Sequence, residues 1–318
     1  MEINEALRVT VLTDGRAGNR AQALALAEAL ARRGRVEIAE PPFTPPRLAT
    51  ALPPALAYPL AGRVLALPDL PACDLIIGAG RRVAPYVAAF GRQGIPNVQL
   101  LSPQMKADPF AAIVAPEHDG LEGENVLVSL GALSRITPTR IAAEGALWAE
   151  TFAPLPSPRI AVLLGGPSKS ANWERRDHDR LIAQLKALET QGMGLIITPS
   201  RRTEPALTEA IRAACPRAFL WDMMGENPYP GLLAHADAVV VTEDSVNMAS
   251  EAASTGLPVH VFRISALAHK LKRFHARLED HGAARVFSGP IRYWDYPPLA
   301  EADRIAEALI QRLGLALG

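Results

Sequence analysis

Between positions 237 and 262 the chain reads DAVVVTEDSVNMASEAASTGLPVHVF. Val239, Val240 and Val241 are β-branched and unbroken by polar residues, the pattern of a parallel strand covered by helices on both faces. The run stops at Thr242-Glu243-Asp244-Ser245, where Asp244 or Ser245 can cap a helix. A cap there leaves the first-turn N–H groups facing past the strand end, a position that attracts phosphate. About two helical turns further on, Glu251 falls on the same side as Asn247 and Ser254, and a carboxylate at that depth can accept both hydroxyls of a ribose. Gly256 stops the helix and Pro258 opens the return strand. Any Rossmann-like unit also needs a capped helix and a Gly-Leu-Pro turn, so Asp244, Ser245 and Gly256 serve as punctuation in either case. Glu251 fits that bland reading less well. A helix packed on a sheet normally turns Ala, Leu or Val inward, and Glu251 sits among the small residues Ala249, Ser250, Ala252 and Ala253.

The same alternation recurs along the chain. Strands are expected over 8–12, 36–39, 74–78, 97–101, 111–115 and 126–129, with helices over 22–33 and 83–90. A Pro-rich stretch over 41–54 reads as irregular, partly apolar loop. After a helix over 138–152, the stiff APLPSP at 153–158 reads as a linker. Strands over 160–164, 194–198 and 218–222 then alternate with helices over 178–189, 205–215 and 230–235, leading into the segment above. The fold class is therefore α/β, with two doubly wound Rossmann-like domains facing an interdomain cleft. The expected domains are 1–152 for the acceptor, a linker over 153–158, and 159–318 for the nucleotide, with a last helix over 300–313 crossing back to the first.

A chain of 318 residues with 49% hydrophobic residues can fill two cores. Its 33 basic and 33 acidic residues balance, so no global field favours nucleic acid. Cys73 and Cys215 lie far apart and form neither a metal spacing nor a disulfide framework, and the histidines are scattered. No metal and no cofactor are expected. The acidic start lacks a signal peptide's basic and apolar regions, and no apolar run reaches the ~20 residues that span a bilayer. The expected location is cytoplasmic, with peripheral contact at the inner membrane left open.

Polar clusters follow the strands, where ligands bind in such sheets. In the second domain these are Gly165, Gly166, Ser168 and Lys169, then Ser200, Arg201 and Arg202. The glycines allow close backbone approach to an anion, and an Arg can fork onto a diphosphate. In the first domain they are Asp14, Gly15, Gly18, Asn19 and Gln22, then Arg81 and Arg82 after Gly80, then Glu117, His118 and Asp119. The glycine loop is neither a Walker motif nor GxGxxG. A His or carboxylate of near-neutral pKa can take a hydroxyl proton, which makes Asp14 or the Glu117-His118-Asp119 run the base candidates; a charged surface turn ending in Gly120 is the alternative for that run.

LTDGRAGNRAQALALAEAL, IIGAGRR, APEHD, ENVLVSLGALSRIT, LLGGPS, ITPSRRT, the 237–262 segment and FHARLEDHGAARVF, taken in order, resemble the bacterial members of the mitochondrial-fission "elongated mitochondria" family. That family is in turn similar to GT-B glycosyltransferases. The second likeness implies a donor-nucleotide site with Glu251 on the ribose, Ser245 near the diphosphate and the Gly165-Gly166 turn beside the donor phosphates. It implies a metal-independent transfer of sugar from a nucleotide-sugar to a lipid-linked or envelope acceptor, held by Gly15, Gly18, Asn19, Gln22, Arg81 and Arg82. Two alternatives stay open: a nucleotide-sugar epimerase of the same architecture, and a non-catalytic interaction protein. The chain departs from its relatives at Asn19, where many carry His, and at Ser102-Pro103-Gln104-Met105, where they tend toward a Gln-Asp-Pro-Arg-like run.

Overall fold

A computed structural model describes residues 5–318; residues 1–4, the beginning of the acidic start discussed above, lie outside the described residues. The chain divides into two compact units, one of residues 1–135 with 300–318 and one of residues 136–299.

In the first unit six strands form one parallel sheet: β1 (Leu7–Thr13), β2 (Val36–Ala39), β3 (Leu75–Ala79), β4 (Asn97–Leu100), β5 (Ala112–Pro116) and β6 (Val126–Ser129), in the order β2-β1-β3-β4-β5-β6. Because successive side chains alternate between faces, Val9, Val11, Leu75 and Ile77 pack on one side with Ala23, Leu26 and Leu30 of the helix Ala17–Ala31. Leu12, Ile76 and Ile113 face the other, against Val87 and Phe90. The final helix, Glu301–Leu313, belongs to this unit and adds Ile305 and Leu309 to the first core. It is held at its start by Leu130 N donating to Glu301 Oε2 (2.6 Å), and Arg33 reaches Asp303 at 2.7 Å.

The Pro-rich stretch expected as irregular loop contains two short helices, Arg47–Ala51 and Pro54–Ala57. Pro53 precedes the second and Pro54 sits in its first turn, where a fixed φ suits the helix and the missing N–H costs nothing. Ala49, Ala57, Ala61 and Leu65 are buried against the second core, which anchors the segment.

The second unit carries β7 (Arg159–Leu164), β8 (Ala171–Asn172), β9 (Gly194–Pro199), β10 (Phe219–Leu220), β11 (Ala238–Thr242), β12 (Val259–Phe262), β13 (Ala266–Leu267) and β14 (Ala284–Val286). Its parallel sheet runs β10-β9-β7-β11-β12-β14, and β8 with β13 forms a small antiparallel ribbon. The sequence reading places the linker at 153–158, whereas the division between units falls earlier, before the helix Pro138–Phe152. The reason is packing. Phe152 is fully buried and meets Phe219 edge-on at 5.1 Å, and Gly231 lies so close that a Cβ there would stand 2.2 Å from Trp148 Cδ1.

Candidate functional site

Both sheets are doubly wound, and in each the strand order reverses between two strands whose C-terminal ends define the usual binding crevice. In the second unit that switch lies between β7 and β11, paired in register from Ile160 with Ala238 to Leu163 with Val241. The turns after these two strands are bonded together. Gly165 N donates to Thr242 Oγ1 (2.8 Å) and Gly166 N to Asp244 Oδ2 (2.8 Å). Only glycine fits here: a Cβ on Gly165 would stand 2.0 Å from Asp244 Oδ2, and one on Gly166 2.0 Å from the Arg202 carbonyl oxygen.

Arg202 closes the arrangement from β9, with Nη2 2.8 Å from Asp244 Oδ2 and Nη1 bonded to the Gly166 carbonyl. Thr203 Oγ1 donates to this turn's carbonyls, at 3.0 Å from Leu164 O. Arg201 instead is exposed, with no ion pair among the described residues. Ser200 Oγ accepts from Arg202 N at 3.2 Å, Ser168 Oγ from Ser170 N at 3.1 Å, and Lys169 is exposed.

Ser245 caps the helix Val246–Ala253, its hydroxyl accepting from Met248 N at 3.4 Å. The helix N-terminus thus opens at the switch point, beside the two glycines. On the same helix Asn247 and Glu251 are both half-buried. Burial pushes the Glu251 carboxyl up to about 7, opposed by the Tyr229 hydroxyl and the Arg140 charge. Tyr229 stands beside it without an aligned hydrogen bond, and its own ionisation is driven well above the usual phenol range, first by burial and then by the Glu251 charge.

Sequence reasoning singled out Asp244 and passed over its neighbour. Thr242, the last residue of β11, and Asp244 in the turn that follows reach the glycine turn, whereas Glu243 between them reaches the loop after β12. There Glu243 is 6% exposed, accepts from Ile264 N, and lines a cavity of about 400 Å³ with Arg263, Ser265, Lys272, His275 and Glu279. Burial raises its carboxyl above the usual range, against the Ile264 N–H and the charges of Arg263 and Lys272. An acidic residue one position after a buried strand was the available signal.

In the first unit the switch lies between β1 and β3. Asp14 and Gly15 leave β1 in a turn, with Gly15 at φ 73°. Asp14 Oδ1 accepts from Asn19 Nδ2 (3.2 Å) and Arg16 N (3.4 Å), so its carboxylate is engaged in shaping the loop. Asn19 in turn packs on Gly80, where a Cβ would stand 2.3 Å from its Nδ2. Gly18 O accepts from Gln22 Nε2 at 3.5 Å. The structure thereby joins the loops after β1 and β3. Arg81 and Arg82 are exposed beyond Gly80, Arg81 donating to Gln104 Oε1 at 3.0 Å, and both line a second cavity of about 400 Å³ with Leu52, Pro53, Pro54 and Pro85. Glu117, His118 and Asp119 form a single turn after β5, two strands away, with His118 buried and its Nε2 3.9 Å from Asp119 Oδ1. Among the described residues no group of His, Cys, Asp and Glu has the arrangement of a metal site, and no helix is long and apolar enough to cross a membrane.

Comparison with known proteins gives one family and one fold. The family model described as mitochondrial fission ELM1 matches residues 17–313. The mitochondrial fission protein ELM1 of Arabidopsis thaliana is 28% identical over 272 residues, covering 75% of this chain; the chain spans 64% of that relative's length. Among solved structures, the UDP-GlcNAc 2-epimerase from Methanocaldococcus jannaschii matches with a TM-score of 0.58 at 10% identity, over 96% of this chain and all of that one. Medicago truncatula UGT71G1 complexed with UDP-glucose matches with a TM-score of 0.50 at 12% identity, over 97% and 90%. The two Rossmann-like units are therefore of the GT-B kind.

Proposed function

Since the chain belongs to the mitochondrial fission ELM1 family, and its second unit brings a capped helix terminus to a paired-glycine turn, we propose that it binds a nucleotide-sugar there and transfers the sugar to an envelope-related acceptor. The observation that carries this reading is the switch point between β7 and β11. Gly165 and Gly166 let the turn after β7 close on Asp244 and Arg202, the Ser245-capped terminus beside it supplies oriented N–H groups for a diphosphate, and Glu251 lies on the same helix to receive ribose hydroxyls. UDP-sugar and UDP are what several proteins of the same fold were solved with, which supports the choice of ligand class.

In this reading the leaving diphosphate is stabilised by the helix terminus and the exposed Arg201, with no metal taking part. Asp14 or a member of the Glu117-His118-Asp119 turn takes the acceptor proton. The cavity at Arg81 and Arg82, with its Pro-lined apolar wall, holds an acceptor that carries both an anionic and an apolar part, as a lipid-linked one does. Contact with a membrane surface follows from such an acceptor.

A thermal-shift and calorimetry screen against UDP, GDP, CMP, ADP and their sugar conjugates tests the ligand class. One nucleoside diphosphate should raise the melting temperature, by ~2.7 kcal/mol of apparent stability at a hundredfold excess over its dissociation constant, with EDTA making no difference. No shift at millimolar nucleotide removes the reading and favours an interaction protein that keeps the fold without the ligand.

A second reading is supported by Glu243, a carboxyl that opens on a cavity next to the diphosphate position. Epimerisation needs such an acid or base on the sugar itself. Deuterium incorporated from D2O into the donor sugar in the absence of acceptor would select it over transfer.

A further inference from the structure

Of the three polar residues from the end of β11 onward, Thr242 and Asp244 reach the glycine turn and Glu243 does not. Thr242 and Asp244 are consumed by Gly165, Gly166 and Arg202. Glu243, between them, opens on the cavity of about 400 Å³ bounded by the loop after β12 and the helix His269–Asp280. Glu243 stands two positions before the Ser245 cap, so the chamber starts at the turn that leads into the helix terminus.

The chamber's walls define its ligand. Glu243 uses one oxygen on Ile264 N, and its second has no hydrogen-bond partner among the described residues. Ser265 is pinned through its N–H (3.0 Å) and hydroxyl (3.0 Å) to Asp177, a buried carboxylate that also accepts from Glu174 N, so this wall is fixed before any ligand arrives. Arg263 is paired with Glu279 at 2.9 Å, and Lys272 extends along the rim with no ion pair among the described residues. Hydrogen-bond donors and acceptors are mixed, Ile264 and Leu267 are the large apolar side chains in the lining, and no Phe, Tyr or Trp takes part. The one ring in the lining is the buried His275 imidazole, tied through Nε2 to the Glu243 carbonyl at 2.7 Å, so a nucleobase would find no Phe, Tyr or Trp to stack on; a lipid chain would meet two carboxylates and two cations, and a second phosphate would face Glu243 and Glu279. A polyhydroxylated ring suits all of these groups, and the volume lies within the roughly 300–1,000 Å³ of small-molecule sites.

We propose that this chamber is the sugar subsite, with Glu243 and Lys272 hydrogen-bonding the hydroxyl groups of a hexosyl ring whose diphosphate rests at the Ser245 helix terminus. The assignment rests on the nucleotide-sugar reading above. It adds that specificity for the sugar is set by the loop after β12 and by Glu243, which turns toward β12 while Asp244 turns toward Gly166 and Arg202.

The test compares UDP with UDP-N-acetylglucosamine, and GDP with GDP-mannose, by calorimetry on wild type, Glu243→Gln and Lys272→Met. Lys272 is exposed, so its variant reads the subsite even where the buried Glu243→Gln lowers stability. The wild type should bind one conjugate at least fivefold more tightly than its parent diphosphate. Each variant should erase most of that gain while leaving the diphosphate's affinity within twofold. A wild type that binds a diphosphate but no conjugate more tightly overturns the subsite alone, as does an equal loss for both ligands in the two variants. A wild type that binds none of these four, nor CMP, ADP and their sugar conjugates in the same calorimetric format, overturns the nucleotide reading and the subsite together.

Discussion

Arg202 Nη2 stands 2.8 Å from Asp244 Oδ2, tying the turn after β9 to the turn after β11 across the end of β7. The Asp244 side chain is fully buried, while that of Arg202 is 37% exposed. The two have different tasks from those their positions in the sequence suggest. Asp244 receives Gly166 N and Arg202, so it organises the glycine turn, and the guanidinium neutralises a carboxylate that would otherwise repel an anion at the neighbouring helix terminus. A site whose groups are already held in place spends less binding energy on ordering them.

Removing Arg202 should therefore cost stability as well as affinity. Arg202→Met leaves a buried carboxylate with only the Gly166 N–H as partner, and should lower unfolding free energy by on the order of 2–3 kcal/mol. Asp244→Asn should cost less, because it removes the charge together with its need for a partner. Arg201→Met, at an exposed position, should change stability by no more than about 0.5 kcal/mol. Urea denaturation of the three variants ranks them, and an Arg202 variant no weaker than the Arg201 variant would discount the bridge.

Glu251 gives a pH dependence whose sign can be worked out. Its carboxyl is raised to about 7 in the folded protein, from the ordinary value of 4.5. The folded state thus favours the protonated form; this contribution is complete below the unfolded pKa and is lost as pH rises through about 7. Glu251→Gln cannot ionise and should be flat across that window. At pH 8 the ligand-free variant should be more stable than wild type by on the order of 2 kcal/mol, with the two converging near pH 4.5. Nucleoside affinity should move the other way, the amide being the poorer acceptor for ribose hydroxyls. A variant that loses melting temperature at pH 8 while keeping its affinity would make Glu251 a structural carboxylate.

The layered α/β architecture was legible because buried parallel strands have an unbroken β-branched signature, as in Val239–Val241, and because each strand ends at a polar turn. The GT-B kind of fold came from ordered motifs rather than from any one of them. What the sequence did not disclose is which of two adjacent residues does what. Arg201 and Arg202 carry the same side chain at a strand end, and only the backbone path decides that Arg202 reaches Asp244. The same holds for Glu243 and Asp244, adjacent in one turn, of which Asp244 accepts from Gly166 N and Glu243 from Ile264 N. The Pro-rich segment was opaque for another reason: its helices Arg47–Ala51 and Pro54–Ala57 are too short for any periodicity to register, and they are set by proline geometry and burial of Ala49 and Ala57. The helix Pro138–Phe152 preceded a stiff Pro-rich run that resembles a linker, yet Trp148 and Phe152 commit it to the second unit.

Asp177 should behave oppositely to Glu251. Burial would raise its carboxyl, but hydrogen bonds from Glu174 N and from Ser265 N and Oγ, with the Arg180 charge, outweigh burial and hold it below the usual value. A depressed folded pKa contributes stability above the unfolded pKa, near 4, and that contribution is lost as pH falls through the folded value. Asp177→Ala should lower stability at pH 7 by about 2–4 kcal/mol, because it opens the capping box of the helix Arg175–Thr190 and frees the loop after β12 together. The wild-type advantage should shrink below pH 4. Hydrogen exchange at Ser265 N reports the loop directly; unchanged protection there in the variant would assign Asp177 to the helix cap alone.

Arg201 separates a phosphate-binding turn from a solvated one. It is exposed, it follows a strand end at the sheet carrying the switch point, and its neighbour Arg202 is already committed to Asp244, so its fork is available to a ligand. If it grips the donor diphosphate, Arg201→Lys should weaken nucleoside diphosphate binding by about tenfold, since an ammonium cannot reproduce two parallel hydrogen bonds. The bare nucleoside carries nothing for Arg201 to hold and should bind wild type and variant alike. Raising salt should narrow the difference between the proteins for the diphosphate, because an exposed charge contact is screened. Calorimetry of both proteins with both ligands at two ionic strengths measures all three, and equal effects on nucleoside and nucleoside diphosphate would place Arg201 on the surface rather than in the site.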